Sequence, residues 1–142
     1  MINPIEHSRT KEAANKYKVE PYVIAADIYG HKNLAGRGGW TWYTGSASWM
    51  LDAAIEYILG LKIENSMLKL QPSIPKEWKE YFIRYKYKNT IYNITVRNDE
   101  KYVNEDSDNN IVKKFFVNCR EVKEKQIQVQ DNAGIVEIEV FI

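Results

Sequence analysis

Residues 46–71 read SASWMLDAAIEYILGLKIENSMLKLQ, and the spacing of their apolar positions changes at Gly60. From Ser46 to Leu59 the chain is nearly all apolar over a helical length, and Gly60 is placed to end that helix. Beyond it, Leu61-Lys62-Ile63-Glu64 and Leu68-Lys69-Leu70-Gln71 alternate around Asn65-Ser66, the pattern of a β-hairpin. One boundary therefore divides a helical part, residues 1–60, from a strand part, residues 61–142.

Upstream of the switch lies Gly36–Met50, GRGGWTWYTGSASWM, with four glycines and three of the chain's four tryptophans. It reads as a glycine-rich loop that delivers aromatic rings and the Thr44 hydroxyl to a helix N-terminus. Such a terminus offers unpaired N–H groups and a partial positive charge, which suit a phosphate or another anion. Neighbouring aromatic rings suit the C–H faces of a sugar. The competing reading is a packed turn followed by an ordinary N-cap. Arg37, between glycines, either clamps an anion or is simply solvated.

Before that loop, residues 19–29, VEPYVIAADIY, predict a buried inner helix with Pro21 in its first turn and Gly30 as its C-cap. Glu20 at the start of this segment is either a first-turn glutamate stabilised by the helix dipole or a site carboxylate. Residues 1–18 predict a turn at Asn3-Pro4 and a short polar helix through Asn15, capped by Ser8 or Thr10. His7 reads as a loop histidine. Two apolar helices cannot make a core alone, so missing helical partners are expected.

After the hairpin, Phe82–Tyr87, Ile91–Val96, Val112–Val117, Ile127–Val129 and Ile135–Ile142 have a period of two, and turns are expected at Asn89, Asn98-Asp99 and Asp131–Gly134. Trp78 and Phe82 are expected to anchor the crossing, and Asn104–Asn110 to form an acidic surface loop. The whole predicts an antiparallel β-sandwich of six to eight strands that gathers no catalytic groups. The overall fold class is α+β.

The formal net charge of +1 gives no basic stripe for nucleic acid, and the single cysteine, Cys119, excludes an internal disulfide and a multi-cysteine metal site. Cys119 in FFVNC reads as a buried or half-buried strand residue. No run has the length of a membrane helix and no signal-peptide pattern opens the chain, which predicts a soluble, cytoplasmic protein without a metal.

NPIEHSRT (3–10), YKVEPYVIAADIYG (17–30), GRGGWTWYTGSASWM (36–50) and LGLKIENSMLKLQPSIPKEW (59–78) together resemble the C-terminal end of glycoside hydrolase family 94. That family contains inverting phosphorylases of β-linked glucosides and the phosphorylase-like end of cyclic β-1,2-glucan synthases. The wording of the first two motifs is nearest to the β-1,2-glucan members. The resemblance implies the last helices of an (α/α)6 barrel with the phosphate loop in residues 1–60, followed by a C-terminal β-sandwich in 61–142. It implies phosphate binding by Thr44 and Gly45, and sugar contacts from Trp40, Trp42 and Tyr43. Arg37 and Glu20 join them by position. Inorganic phosphate is the co-substrate and no cofactor is implied. The expected partners are a β-linked gluco-oligosaccharide and the upstream part of the same enzyme, with a homo-oligomer also open.

The family's general-acid aspartate and its other phosphate ligands lie upstream of the Asn-Pro-Ile motif, so the resemblance assigns no catalytic residue to this chain. Asp27 and Asp52 are the only helical carboxylates that could substitute. Two other readings stand beside this one. In the first, the sandwich is a carbohydrate-binding or assembly module working through Trp78, Tyr85, Tyr87 and Tyr92; in the second, the chain is a non-functional remnant with exposed apolar faces.

Overall fold

The computed structural model describes residues 3–98 and 111–142. The chain forms two compact units, one ending at Asp52 and one beginning at Ala53. The expected turn at Asp99 and the expected acidic loop Asn104–Asn110 lie outside the described residues.

In the first unit, α1 (Pro4–Ser8) starts at Asn3, whose side chain accepts from the Ile5 N–H, with Pro4 at the first helical position. Arg9 ends it, and Thr10 then caps α2 (Lys11–Tyr17) by accepting from the Ala13 N–H. Of the two expected caps, Thr10 is the one used, while the Ser8 hydroxyl bonds back to the Pro4 carbonyl. The Tyr17 ring is buried and stacks on His7, centroids 4.6 Å apart. Its phenol is pushed up by burial. The Ala25 N–H opposes that shift from nearby without making a hydrogen bond of ordinary geometry.

The helix expected over 19–29 does not form. Residues 26–29 are extended and run antiparallel to 36–40: Ala26 and Gly39 N–H donate to the Trp40 and Asp27 carbonyls, and Tyr29 and Gly36 N–H to the Arg37 and Tyr29 carbonyls. Pro21 and the β-branched Val23, Ile24 and Ile28 suit this extended path, and the cross-hairpin bonds consume the donors that a helix would have used. Asp27 is therefore not a helical carboxylate. Its Oδ1 accepts the Trp40 N–H at 3.1 Å, and a side chain at Gly39 would collide with this carboxyl group. Gly30 opens the hairpin loop rather than closing a helix.

α3 spans Thr44–Asp52, two residues ahead of the expected start. Trp49 and Leu51 on it are exposed, at 79% and 60%. Of the two apolar segments expected to be helical, only this one is.

The second unit opens with a π-helical stretch, Ala53–Ile58. Ile55 packs on the sandwich core, the Ser73 N–H donates to the Ile58 carbonyl, and the Tyr81 hydroxyl donates to the Leu59 carbonyl at 2.6 Å. Burial pushes that phenol well above the usual tyrosine range. These bonds explain why the last helical turn before Gly60 travels with the strands. Gly60 has φ +75°, and a side chain there would run into the backbone of Gln71 and Pro72.

Among the described residues eight strands follow: β1 (Leu61–Glu64), β2 (Met67–Leu70), β3 (Glu80–Tyr87), β4 (Thr90–Arg97), β5 (Lys114–Val117), β6 (Arg120–Glu121), β7 (Gln126–Gln128) and β8 (Ile135–Phe141). They make a three-stranded sheet, β1-β2-β7, and a five-stranded sheet, β3-β4-β8-β5-β6. The Asn65-Ser66 hairpin is as expected, with both residues at positive φ. One pairing departs from an all-antiparallel arrangement: β4 and β8 are parallel. A parallel neighbour requires a long connection, and here β5, β6 and β7 supply it.

Leu61, Leu68 and Leu70 from one sheet meet Tyr92, Ile94, Phe115, Ile138 and Val140 from the other in a single core. Three positions differ from expectation. Phe82 is 61% exposed and Trp78 43% exposed, stacked edge-on with Tyr81, so neither is buried as an anchor. Cys119 is exposed with φ +64°, in the two-residue turn that joins β5 to the short β6. That turn requires left-handed backbone at both of its residues, which removes Cys119 from the strand.

Candidate functional site

A concavity in the first unit holds about 240 Å³ and is lined by Tyr22, Val23, Ile24, Trp42, Tyr43 and Ala47. The chain reaches it from two directions. Pro21 turns the backbone so that Tyr22–Ile24 form one wall, and the returning arm of the 26–40 hairpin delivers Trp42 and Tyr43 to the other. Ala47, in the first turns of α3, closes the end next to the helix start.

Trp42 is the hinge of this arrangement. Its φ is +62°, unusual for a bulky residue and worth roughly 1–3 kcal/mol of strain. The indole N–H donates to Glu20 Oε1 at 3.2 Å, and the ring meets Tyr22 edge-on with centroids 6.3 Å apart. These two contacts offset the strain and fix the ring plane. Glu20 is thus joined to the loop 22 residues away. Its own backbone N–H, then the Trp42 indole and, more weakly, the Thr41 side chain hold its carboxyl below the usual glutamate range. A carboxylate kept ionised in this way accepts hydrogen bonds from hydroxyls; it is unsuited to donating a proton.

The sequence-derived candidates separate in space. Trp42 and Tyr43 line the groove, and Glu20, which does not, is tied to it through the Trp42 indole. Thr44 and Gly45 form the first turn of α3, directly after Tyr43. Gly45 is exposed, and an added Cβ would meet only the Tyr43 ring at 3.8 Å, so local packing does not demand glycine there. Trp40 is 74% exposed and is held by its backbone bonds to Ala26 and Asp27; it does not line the groove. Arg37 is exposed beside the hairpin loop, its carbonyl bound to Tyr29, and likewise does not line the groove. Tyr22, Val23, Ile24 and Ala47 were missed because a helical reading of 19–29 disperses their side chains around a cylinder. Tyr22 directly follows Pro21, a signal that favours a turn as readily as a helix start.

In the second unit, Tyr85 and Tyr87 are half-buried against the core and Tyr92 is 1% exposed, its hydroxyl accepting the Gln130 N–H. The tyrosines assigned to a sandwich sugar site therefore point inward. Among the described residues no cluster of three or more His, Cys, Asp or Glu could hold a metal ion, and no helix is long and apolar enough to cross a membrane.

Residues 1–60 match the glycosyl hydrolase 94 superfamily, catalytic domain, and residues 61–123 match the glycosyl hydrolase family 65, C-terminal domain. Residues 1–60 belong to the glycosyl hydrolase 94 superfamily. Among the chain's relatives is the cyclic beta-(1,2)-glucan synthase NdvB of Rhizobium meliloti (strain 1021), 48% identical over 101 residues, which cover 71% of this chain and 4% of the synthase. Solabiose phosphorylase of Paenibacillus borealis is 31% identical over 100 residues, 70% of this chain and 12% of that enzyme. The N,N'-diacetylchitobiose phosphorylase of Vibrio proteolyticus is 28% identical over 90 residues, 63% of this chain and 11% of the relative. The chain thus spans about an eighth or less of the length of these glycosyl hydrolase 94 relatives. The change of family match at residue 60 coincides with Gly60, where the chain turns into β1.

Proposed function

We propose that this chain is the C-terminal part of a carbohydrate phosphorylase or glycosyltransferase that cleaves or forms β-glucosidic bonds using inorganic phosphate and glucose 1-phosphate. The observation that carries the reading is the Tyr22–Trp42–Tyr43 groove, with Glu20 bound to the Trp42 indole, which ends at the first turn of α3 and sets a sugar-sized aromatic surface beside a helix N-terminus. In this reading Thr44 and Gly45 hold phosphate through a hydroxyl, a backbone N–H and the helix dipole. Gly45 is glycine because the anion approaches the backbone closely there. Trp42 and Tyr43 pack on the sugar, and Glu20 accepts a hydroxyl hydrogen bond.

Phosphate then attacks the anomeric carbon from one face while a carboxylic acid protonates the glycosidic oxygen on the other. The ionised Glu20 does not fill the acid role, Asp27 is occupied by the Trp40 N–H, and Asp52 is exposed at the far end of α3 and does not line the groove, so in this reading the acid comes from upstream polypeptide. The exposed Trp49 and Leu51 of α3 are the surface that this polypeptide covers, completing the (α/α)6 barrel. No cofactor beyond phosphate is needed.

The test is release of glucose 1-phosphate from β-1,2-gluco-oligosaccharides and from cellobiose in the presence of phosphate. The reading expects none from the chain alone and release once the upstream polypeptide is added. Release by the chain alone would overturn the placement of the acid.

A further inference from the structure

The five-stranded sheet ends on β3, whose only partner among the described strands is β4. At eight residues β3 is much longer than the other terminal strands, β6 with two, β1 with four and β7 with three. The Asn98 N–H donates to the Lys79 carbonyl at 2.8 Å, which fixes the phase of the ladder. By the period of two, Tyr81, Ile83, Tyr85 and Tyr87 turn their backbone groups toward β4. The N–H and C=O groups of Glu80, Phe82, Arg84 and Lys86 point to the open edge. We propose that this edge pairs with β3 of a second copy of the chain, antiparallel about a two-fold axis at Ile83, to make one continuous sheet.

The side chains select both the occupant and the register. Centred on Ile83, the pairing sets Glu80 opposite the second copy's Lys86, and the exposed Phe82 opposite the second copy's Arg84. It thereby matches an acid with a base and a ring with a guanidinium, twice each by symmetry. Arg84 and Lys86 pair with no carboxylate among the described residues, and Glu80, whose Oε2 holds Arg97 Nη1 at 3.0 Å, keeps its other oxygen for the second copy's Lys86. Centring on Arg84 would oppose two guanidiniums, and centring on Phe82 would carry Lys86 past Glu80, the first residue of β3, and leave it with no acid opposite. Strands that end in mixed charge usually repel arbitrary neighbours; here the same charges are self-complementary in one register.

The experiment uses the 142-residue chain. Sedimentation should give twice the mass of one chain. Arg84→Pro should return it to the mass of one chain with an unchanged far-UV spectrum, because the Arg84 N–H faces away from β4 and its loss spares that ladder. In a Cys119→Ser background, Ile83→Cys should form a disulfide-linked dimer under mild oxidation. Residues facing each other across a wide, non-hydrogen-bonded pair lie about 4.5 Å apart at Cα. Tyr81→Cys, which this register places opposite Tyr85, should not cross-link. A monomeric parent chain, a dimer that survives Arg84→Pro, or cross-linking through Tyr81→Cys in place of Ile83→Cys would each overturn the proposal.

Discussion

The Trp42 indole donates to the Glu20 carboxylate at 3.2 Å, and this single bond ties the turn at Pro21 to the loop that enters α3. The bond also holds the indole of a residue whose backbone is left-handed. Trp42→Phe keeps a ring but removes the donor to a charged acceptor. In the enzyme completed by upstream polypeptide, the expected result is a sugar KM roughly tenfold higher with a smaller change in the phosphate KM. Because its partners hold the Glu20 carboxyl below the usual range, sugar affinity should stay flat from neutral pH through about pH 5, where an ordinary glutamate begins to titrate. It should fall only as pH drops through the depressed value. A sugar KM that begins to rise above pH 5 would contradict this assignment.

Thr44→Ala tests the other end of the groove. If the Thr44 hydroxyl donates to phosphate, its loss should raise the phosphate KM by roughly tenfold, the size of one hydrogen bond to an anion, and leave the sugar KM nearly unchanged. Equal effects on the two constants would reduce the loop to a scaffold. The companion variant Gly45→Ala fits the fold without collision. It should therefore keep the melting temperature while weakening phosphate binding.

How far the sequence could be read depended on how local the deciding forces are. The Asn65-Ser66 hairpin, the Thr10 cap and most strands were legible because alternation and turn chemistry act within a few residues. The segment 19–29 was misread because its apolar run suits a buried helix and an extended arm equally well. The tie is broken only by bonds to Gly36–Trp40, up to 14 residues away. The parallel β4–β8 pairing was hidden for the same reason, since nothing near Thr90 or Ile135 announces a partner more than forty residues distant. In the site, the residue types of the loop pointed to Trp42 and Tyr43. Tyr22 and Ile24 entered only once the chain path was known.

Gly60→Ala should destabilise the sandwich more than any other glycine substitution at a chain reversal. The residue is left-handed, its carbonyl accepts the Gln71 N–H at 2.8 Å, and a methyl group would meet the Gln71 and Pro72 backbone. Backbone cannot yield as a flexible side chain can, so the cost combines strain with displacement of β1 from β2, about 2–4 kcal/mol. Urea unfolding should show a lower midpoint with an unchanged slope. A shift of less than about 0.5 kcal/mol, the range of ordinary surface changes, would mean that the turn relaxes freely.

Acid stability should be governed in part by Asp131, which fastens the turn before β8 to the β3–β4 hairpin. Its Oδ1 accepts the Asn89 side-chain amide at 2.8 Å and the Asn89 backbone N–H at 3.2 Å, and Lys88 Nζ lies 3.7 Å from Oδ2. The Asn89 side chain, then its backbone N–H, and Lys88 hold this carboxyl below the usual aspartate range. A carboxyl group whose folded pKa is depressed adds stability that is fully present above its unfolded value, near pH 4, and is lost as pH falls through the folded value. Asp131→Asn removes that contribution at neutral pH and leaves nothing of it to lose in acid. Urea midpoints for the two proteins should therefore differ at pH 7 and converge as pH falls through the depressed folded value. A gap that stays constant over this range would assign the effect to packing of the turn rather than to the charge on Asp131.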